Sequence, residues 1–362
     1  MKFINNKAKR VLWFCNHETL REFEVPLLRT LGYEVYLPKI FPQTEEYSSA
    51  SLDTSYDASL TIPKEALDLL NKHDFYEKQM TDEIEEILNT YFSIAFFAFY
   101  PNIFEQMVEG FLGKLVFRAF GREGSNGYSD LIPLFFSPVF TKSLERIQDR
   151  FYFAHGYRSM LEVEDGIFYD RALYLPIGVS LSLFQHEDSW TGREGKLLFV
   201  CPRITSSPYY KNVYDDFKKS FSHIPHLIAG RQLFSLDDPV ILGALSKTRY
   251  QELFQTSCVM FCHSQEQRQV HYHPLEAVVF GLPLVYMHNS MLGRLVQKKL
   301  PGACDTLEEA EVKIQRIMQG DASFIQEVKT SQKELLSCVH PTYCYEVWKK
   351  NLGKLCSGCV HA

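Results

Sequence analysis

A chain of 362 residues is long enough for two domains with full cores. Its 46% hydrophobic and 23% charged content are those of a globular protein, and a formal net charge of -6 argues against nucleic-acid binding by bulk charge. No secretory signal pattern and no apolar run of bilayer length are present, and the 9 cysteines, mostly in apolar runs, fit reduced core thiols in a cytoplasmic protein rather than a disulfide framework. The high aromatic content, with 28 Phe and 20 Tyr, predicts an aromatic core, with room for some aromatic surface facing carbohydrate or membrane.

Residues 10–15 are basic and then apolar and predict a first buried strand, with Asn16 and His17 at its carboxyl end. Residues 20–31 carry a helical pattern with Pro26 inside, which predicts a late start or a kink. Gly32 ends that helix, and 33–37 is the next strand. Strand, helix, glycine, strand is how a doubly wound sheet begins. No Gly-x-Gly-x-x-Gly turn follows the first strand, which argues against a nicotinamide or flavin enzyme. Residues 41–60 read as a loop, 63–71 and 81–91 as helices, and 93–100 as a central strand stopped by Pro101. A strand at 114–120 runs into the glycine-containing segment 121–130, which suits either a ligand close to the backbone or a plain turn. A strand at 150–154 ends in His155 and Gly156, and Glu162, Glu164 and Asp165 then form a run usual for a solvated turn.

These patterns predict a first Rossmann-like domain over 1–179 and a more polar linker over 180–195. A second Rossmann-like domain follows over 196–340, and 341–362 form a helix and tail returning to the first. In the second domain, strands at 197–201 and 226–229 are followed by Pro202-Arg203 and Gly230-Arg231. A helix at 213–221 lies between them, the loop 236–239 carries Asp237 and Asp238, and 246–255 is helical. Past residue 287 the chain reads as helices at 291–299, 307–318, 323–338 and 343–355. Cys338, Cys344, Cys356 and Cys359 with His340 and His361 are metal-ligating types, but their spacing is irregular and no metal is expected there.

The second domain is organised around residues 258–287. An apolar strand at 258–262 leads into a polar loop, then a helix from Pro274 to 280 stopped by Gly281, then a strand at 282–287. This is one βαβ unit, and its loop lies past the carboxyl end of a strand, where open α/β sheets bind ligands. The loop gathers His263, Arg268, His271, His273 and Glu276 around one helix N-terminus, which favours anions. Cations and imidazoles there point to a phosphate-bearing ligand, and Glu276 suits ribose hydroxyls; the plain alternative is a surface loop with scattered histidines. Arg203, Lys211 and Arg231 add cationic groups, the arginines with forked geometry for phosphate or carboxylate. No Asp-x-Asp pair stands at a strand end, so the phosphate charge is expected to be met by side chains and a helix dipole, without an obligatory metal.

Gly230-Arg231 after a strand, Asp238-Pro239, His263-Ser264, Pro274-Leu-Glu276-Ala277 and Gly281-Leu-Pro-Leu-Val285 together resemble the nucleotide-sugar domain of glycosyltransferases with the GT-B fold. The resemblance implies two doubly wound Rossmann-like α/β domains facing a cleft, with C-terminal helices packing back on the first domain. It implies transfer of a sugar from a nucleotide-sugar donor to a glycan or lipid-linked glycan acceptor, with no nucleic-acid partner. The His273-Pro274 pair resembles the His-Pro motif of CMP-sugar transferases, and among these the retaining bacterial β-Kdo transferases, Kdo being an eight-carbon acidic sugar. This narrower resemblance implies a CMP-Kdo donor and a role in lipopolysaccharide, O-antigen or capsule synthesis. The enzyme would then be cytoplasmic, with peripheral association at the inner membrane.

By the same resemblance His273, Pro274 and the amides after them would hold the phosphate, and Glu276 the ribose. Arg203, Arg231 and Lys211 would hold phosphate or the sugar carboxylate. Asp238, or Asp237 beside it, would be the nucleophile, Glu164 the acid/base, and His271 an assisting group. A turn or helix cap before Pro239 is the alternative for the aspartates. Two other functions stay open: a UDP- or GDP-hexose transferase in which His273 is incidental, and a GT-B module that binds without turnover.

Overall fold

The computed structural model describes residues 7–42, 50, 52–122, 124, 126–269 and 271–357. The chain divides into two units, Met1–Gly178 with Pro341–Ala362, and Val179–His340.

In the first unit the strands are β1 (Arg10–Phe14), β2 (Glu34–Tyr36), β3 (Ile94–Phe97), β4 (Lys114–Ala119), β5 (Phe151–His155) and β6 (Ala172–Tyr174). They form one parallel sheet in the order β2-β1-β3-β4-β5-β6. Every residue of β1 and β3 is buried, as expected for strands covered by helices on both faces. The phenylalanines fill one face: Phe117 lies between Phe97, Phe104, Phe153 and Phe168, with ring centroids 5.2 to 5.9 Å apart. The helix Glu18–Thr30 starts early and runs through Pro26. Leu20, Phe23, Leu27 and Leu28 are buried on its inner side, and that burial outweighs the one hydrogen bond Pro26 cannot make.

A charged pair sits inside this core. Arg118 Nε donates to Glu24 Oε1 at 2.7 Å, and both side chains are fully buried. Trp13 Nε1 donates to the other Glu24 oxygen at 3.0 Å, and Arg118 Nη1 donates to Ala154 O at 3.1 Å. The guanidinium also faces the ring of Trp348, 5.2 Å from its centroid. Trp348 comes from the last helix, Pro341–Ser357; it stacks on Phe96 at 6.0 Å and donates to Pro176 O at 2.9 Å. The C-terminal helix is therefore part of the first unit's core.

In the second unit the strands are β7 (Leu197–Val200), β8 (His226–Ala229), β9 (Ile241–Gly243), β10 (Val259–Cys262), β11 (Leu284–Met287) and β12 (Ala303–Cys304). All neighbours are parallel, in the order β12-β11-β10-β7-β8-β9. The chain reverses its direction of winding between β7 and β10, so those two carboxyl ends flank the switch point. Phe199 stacks on Phe217 at 3.9 Å, and Phe221 packs on Phe261 at 5.0 Å. Gly281 caps the helix Tyr272–Phe280 at φ 79, and a Cβ there would meet Asp188 Oδ1 at 2.9 Å.

Residues 180–195 are not a free linker. Asp188 N donates to Val279 O at 3.1 Å, Trp190 N to Phe280 O at 2.9 Å, and Trp190 Nε1 to Ser257 O at 2.8 Å. Backbone bonding to the end of a buried helix holds this polar stretch on the second unit. Strands β6, β9 and β12 carry no periodic signal of their own, being two or three residues long at sheet edges. Among the described residues no group of three or more His, Cys, Asp or Glu is placed to hold a metal, and no helix is long and apolar enough to cross a membrane. Cys359 and His361 lie outside the described residues.

Candidate functional site

A pocket opens at the switch point of the second unit. Its walls are Val200, Tyr209 and Tyr210 from the β7 side, and Cys262, His263, Ser264, His271 and His273 from the β10 side. The β7 side is shaped by Arg203 at φ 55, whose amide donates to Arg231 O at 2.9 Å. Ser207 then caps the helix Pro208–Phe221 by accepting from Tyr210 N. Gln232, for which the sequence offers no signal, ties the two loops together. Its Oε1 accepts from Ile204 N at 2.8 Å, and its Nε2 donates to Cys201 O at 2.9 Å and Gly230 O at 3.0 Å.

On the β10 side the helix begins at Tyr272 with His271 as N-cap, two residues before the expected start at Pro274. Its first turn includes His273 and Pro274, and Pro274 has no amide hydrogen to offer. The rings of His271 and His273 lie 5.6 Å apart. Nε2 of His263 and Nε2 of His271 are buried without a hydrogen-bond partner. Burial pushes the His271 imidazole down to about 4, and burial with the His271 charge pushes His273 well below its usual value. Burial lowers His263 as well, partly opposed by Asp216. All three are neutral near pH 7, so they offer hydrogen bonds to a ligand rather than positive charge. Glu276 is half-buried on the same helix; after burial itself, its charge is what raises the Tyr250 phenol.

The expected cations are unequal. Arg203 is half-buried, 5.7 Å from the Tyr210 ring centroid, while Arg231 is exposed. Lys211 is on the helix surface, not at a strand end, and Asp215 pairs with it at 2.6 Å. Arg268 is half-buried in the loop before the helix.

The expected catalytic carboxylates Asp238 and Glu164 each hold local bonds within their own unit. Asp238 leads into the amino end of β9, the edge of the sheet opposite the pocket. It accepts from Tyr214 Oη at 2.7 Å, Lys218 Nζ at 2.9 Å and Val240 N at 3.2 Å. Burial alone would raise its carboxyl, but the Tyr214 and Lys218 bonds outweigh this and lower it. That geometry tethers a loop to a helix, and Asp238 is not among the residues lining the pocket. Asp237 beside it is exposed. Glu164 belongs to the first unit and is buried, not in a solvated turn. It accepts from Tyr128 N at 2.8 Å and Ser129 N at 2.9 Å, and burial raises its carboxyl against those bonds. The structure thus brings His263, His271 and His273 together in the lining of that pocket, and Lys211 and Asp238 of the same unit are not among its lining residues.

The neutral histidines have a consequence for stability. His17, His155 and His271 are each held at about 4 by burial, against an ordinary value of 6.5. Between those values the unfolded chain binds more protons than the folded one. Unfolding free energy should therefore be fully retained above pH 6.5 and fall as the pH drops towards 4. Urea unfolding at pH 7.5, 6 and 5 measures this, and a profile flat across that window would contradict the burial of these rings.

Two doubly wound parallel units, the second with its pocket at the switch point, are the architecture of the GT-B fold. No protein-family model matches the chain, and no curated protein sequence matches it. Among solved structures, HepE of Anabaena in complex with UDP and glucose covers 96% of this chain and 100% of its own, with TM-score 0.61 and 11% identity. Sucrose-phosphate synthase from Thermosynechococcus elongatus covers 96% and 99%, with TM-score 0.59 and 10% identity. The N-terminal domain of Candida albicans trehalose-6-phosphate phosphatase covers 97% and 97%, with TM-score 0.56 and 11% identity. At these identities the likeness is one of fold.

The expected kinship with CMP-Kdo transferases is corrected by these findings. HepE has been solved with UDP and with UDP-glucose, and none of these neighbours is described with a CMP sugar. The His273-Pro274 pair that suggested CMP sits inside the first helical turn, with a buried and neutral imidazole. A short His-Pro match cannot distinguish that packing role from phosphate recognition.

Proposed function

We propose that this chain is a glycosyltransferase that takes a UDP-linked hexose at the switch-point pocket of its second unit and delivers the sugar to a hydroxyl of a glycan acceptor. The observation that carries the reading is the pocket itself, open at the carboxyl ends of β7 and β10, with Glu276 on the helix that starts beside it. The UDP complexes of HepE favour UDP over other nucleotides. In this reading Glu276 accepts hydrogen bonds from the ribose hydroxyls. In this reading the diphosphate lies at the amino end of the helix Tyr272–Phe280, with Arg203 as its arginine partner. Transfer breaks the bond between the sugar's anomeric carbon and the diphosphate oxygen, and negative charge grows on the departing UDP. Fixed amides and a guanidinium stabilise that charge, while the neutral histidines donate hydrogen bonds without a fixed positive charge.

The test is a thermal-shift screen of UDP, GDP and CMP, followed by turnover of a UDP-hexose. A nucleotide at a hundredfold over its dissociation constant adds about 2.7 kcal/mol of stability. UDP should give the largest shift; a larger shift with CMP, or binding without any turnover, would refute the proposal. Turnover should also survive exhaustive chelation, because amides and arginine meet the charge in this scheme. Loss of activity restored by Mg²⁺ or Mn²⁺ would show that a metal does that work instead.

A further inference from the structure

Beside the switch-point pocket, and sharing Cys262, Ser264 and His271 with it, lies a second hollow closed by Gln269, Ser290, Met291 and Leu292. It is built from the loops at the carboxyl ends of β10 and β11. Three bonds fasten those loops together. Met291 N donates to Glu266 O at 2.8 Å, Asn289 Nδ2 to Gln265 Oε1 at 3.2 Å, and Arg294 Nη1 to Gln267 Oε1 at 2.8 Å. Walls already fixed by the protein leave a ligand little ordering to impose.

Three polar atoms in these walls are sealed from solvent with no hydrogen-bond partner among the described residues: Gln269 Oε1, His271 Nε2 and Ser290 Oγ. Buried polar atoms are nearly always paired, so three in one lining mark a place for a group that pairs them. Ser290 is only 2% exposed. It is the N-cap of the helix Met291–Leu295, where a serine hydroxyl ordinarily accepts from a first-turn amide, yet its side chain makes no cap bond. The helix does not use this hydroxyl, and it lines the hollow.

Donor and acceptor roles decide the class of ligand. Gln269 Oε1 can only accept, a serine hydroxyl does either, and a neutral imidazole nitrogen does one or the other by tautomer. Burial keeps His271 neutral near pH 7. An anion cannot donate to Gln269, and a cation would be buried with no carboxylate in the lining to meet it. A hydroxyl donates and accepts without charge. Cys262, Met291 and Leu292 offer apolar surface beside it, as the carbon face of a sugar ring needs.

We propose that this hollow receives the hydroxyl edge of the donor's hexose, and that Ser290 and Gln269 set which uncharged sugar is taken. This rests on the UDP-hexose reading and narrows it to sugars with no charged group at that edge.

The experiment is calorimetry on the full chain with UDP, UDP-glucose, UDP-galactose and the 3-, 4- and 6-deoxy forms of both sugars. For the better-bound sugar, removal of one particular hydroxyl should weaken binding to the parent roughly tenfold. Ser290→Ala should bind the intact sugar roughly tenfold more weakly and lose nothing further with that deoxy form. Gln269→Leu should weaken the intact sugar similarly. UDP affinity should stay unchanged in both variants, which also shows that they fold. Parent-like affinity of Ser290→Ala for the intact sugar means that the hollow holds only a water, and overturns the proposal while UDP binding stands. Equal losses for UDP and UDP-sugar, or additive losses from variant and deoxy sugar, overturn it as well. A parent that binds no UDP overturns the nucleotide reading and this proposal together.

Discussion

Replacing Arg118 with Leu should lower the stability of the first unit by about 3–5 kcal/mol, the usual cost of leaving a buried charge without its partner. Glu24 would keep only the Trp13 indole as a donor, inside a core closed by Phe120 and Trp348. The pair itself is not expected to be worth that much. Taking two ions out of water costs nearly as much as their attraction returns, so the double variant Arg118→Leu with Glu24→Leu should recover most of the loss. Urea unfolding followed by tryptophan fluorescence reads this directly, since Trp13 and Trp348 both touch the network. A single variant within 1 kcal/mol of the parent would mean that water reaches Glu24, against its complete burial.

Glu276→Ala should weaken UDP binding by about 1.5–3 kcal/mol, roughly ten- to a hundredfold, if both ribose hydroxyls donate to an ionised carboxylate. The half-buried position of Glu276 on the helix beside the pocket makes those bonds partly shielded from solvent. The discriminating ligand is 2′-deoxy-UDP, which removes one of the two donors. It should bind the parent more weakly than UDP does, and should bind Glu276→Ala almost as UDP does. Calorimetry showing equal UDP affinity in the parent and in Glu276→Ala would place the ribose elsewhere.

The candidate site was legible where the signal is local. The run 258–262, the Pro274 and Glu276 on the following helix, and the stop at Gly281 each act over a few residues, and β10, the helix Tyr272–Phe280 and β11 lie where those signals place them. The helix start was misplaced by two residues because Pro274 suits any first-turn position, whereas the N-cap geometry belongs to His271. The local partners of Asp238 were not legible, because an Asp-Pro loop after a strand says nothing about which edge of the sheet it will reach. That is decided by Tyr214 and Lys218, 24 and 20 positions away. The burial of Glu164 was not legible either. Its acidic neighbours suggested solvent, but two backbone amides of the loop after β4 bury it.

The sequence by itself determined the two parallel α/β layers, because short apolar strands separated by amphipathic helices have few other ways to bury both faces. It also determined the concentration of histidines after β10. Only the tertiary structure decided the strand order, and with it the meeting of β7 and β10 at one pocket. It alone decided how far the histidine pKa values fall, since an ordinary imidazole titrates near 6.5 and only burial lowers it this far. It alone paired Arg118 with Glu24 across 94 positions, and left polar atoms of Gln269, His271 and Ser290 unpaired around one hollow. Local propensity is carried by neighbours along the chain, whereas burial and charge pairing depend on residues brought together by folding. That difference divides what could be read from what had to be seen.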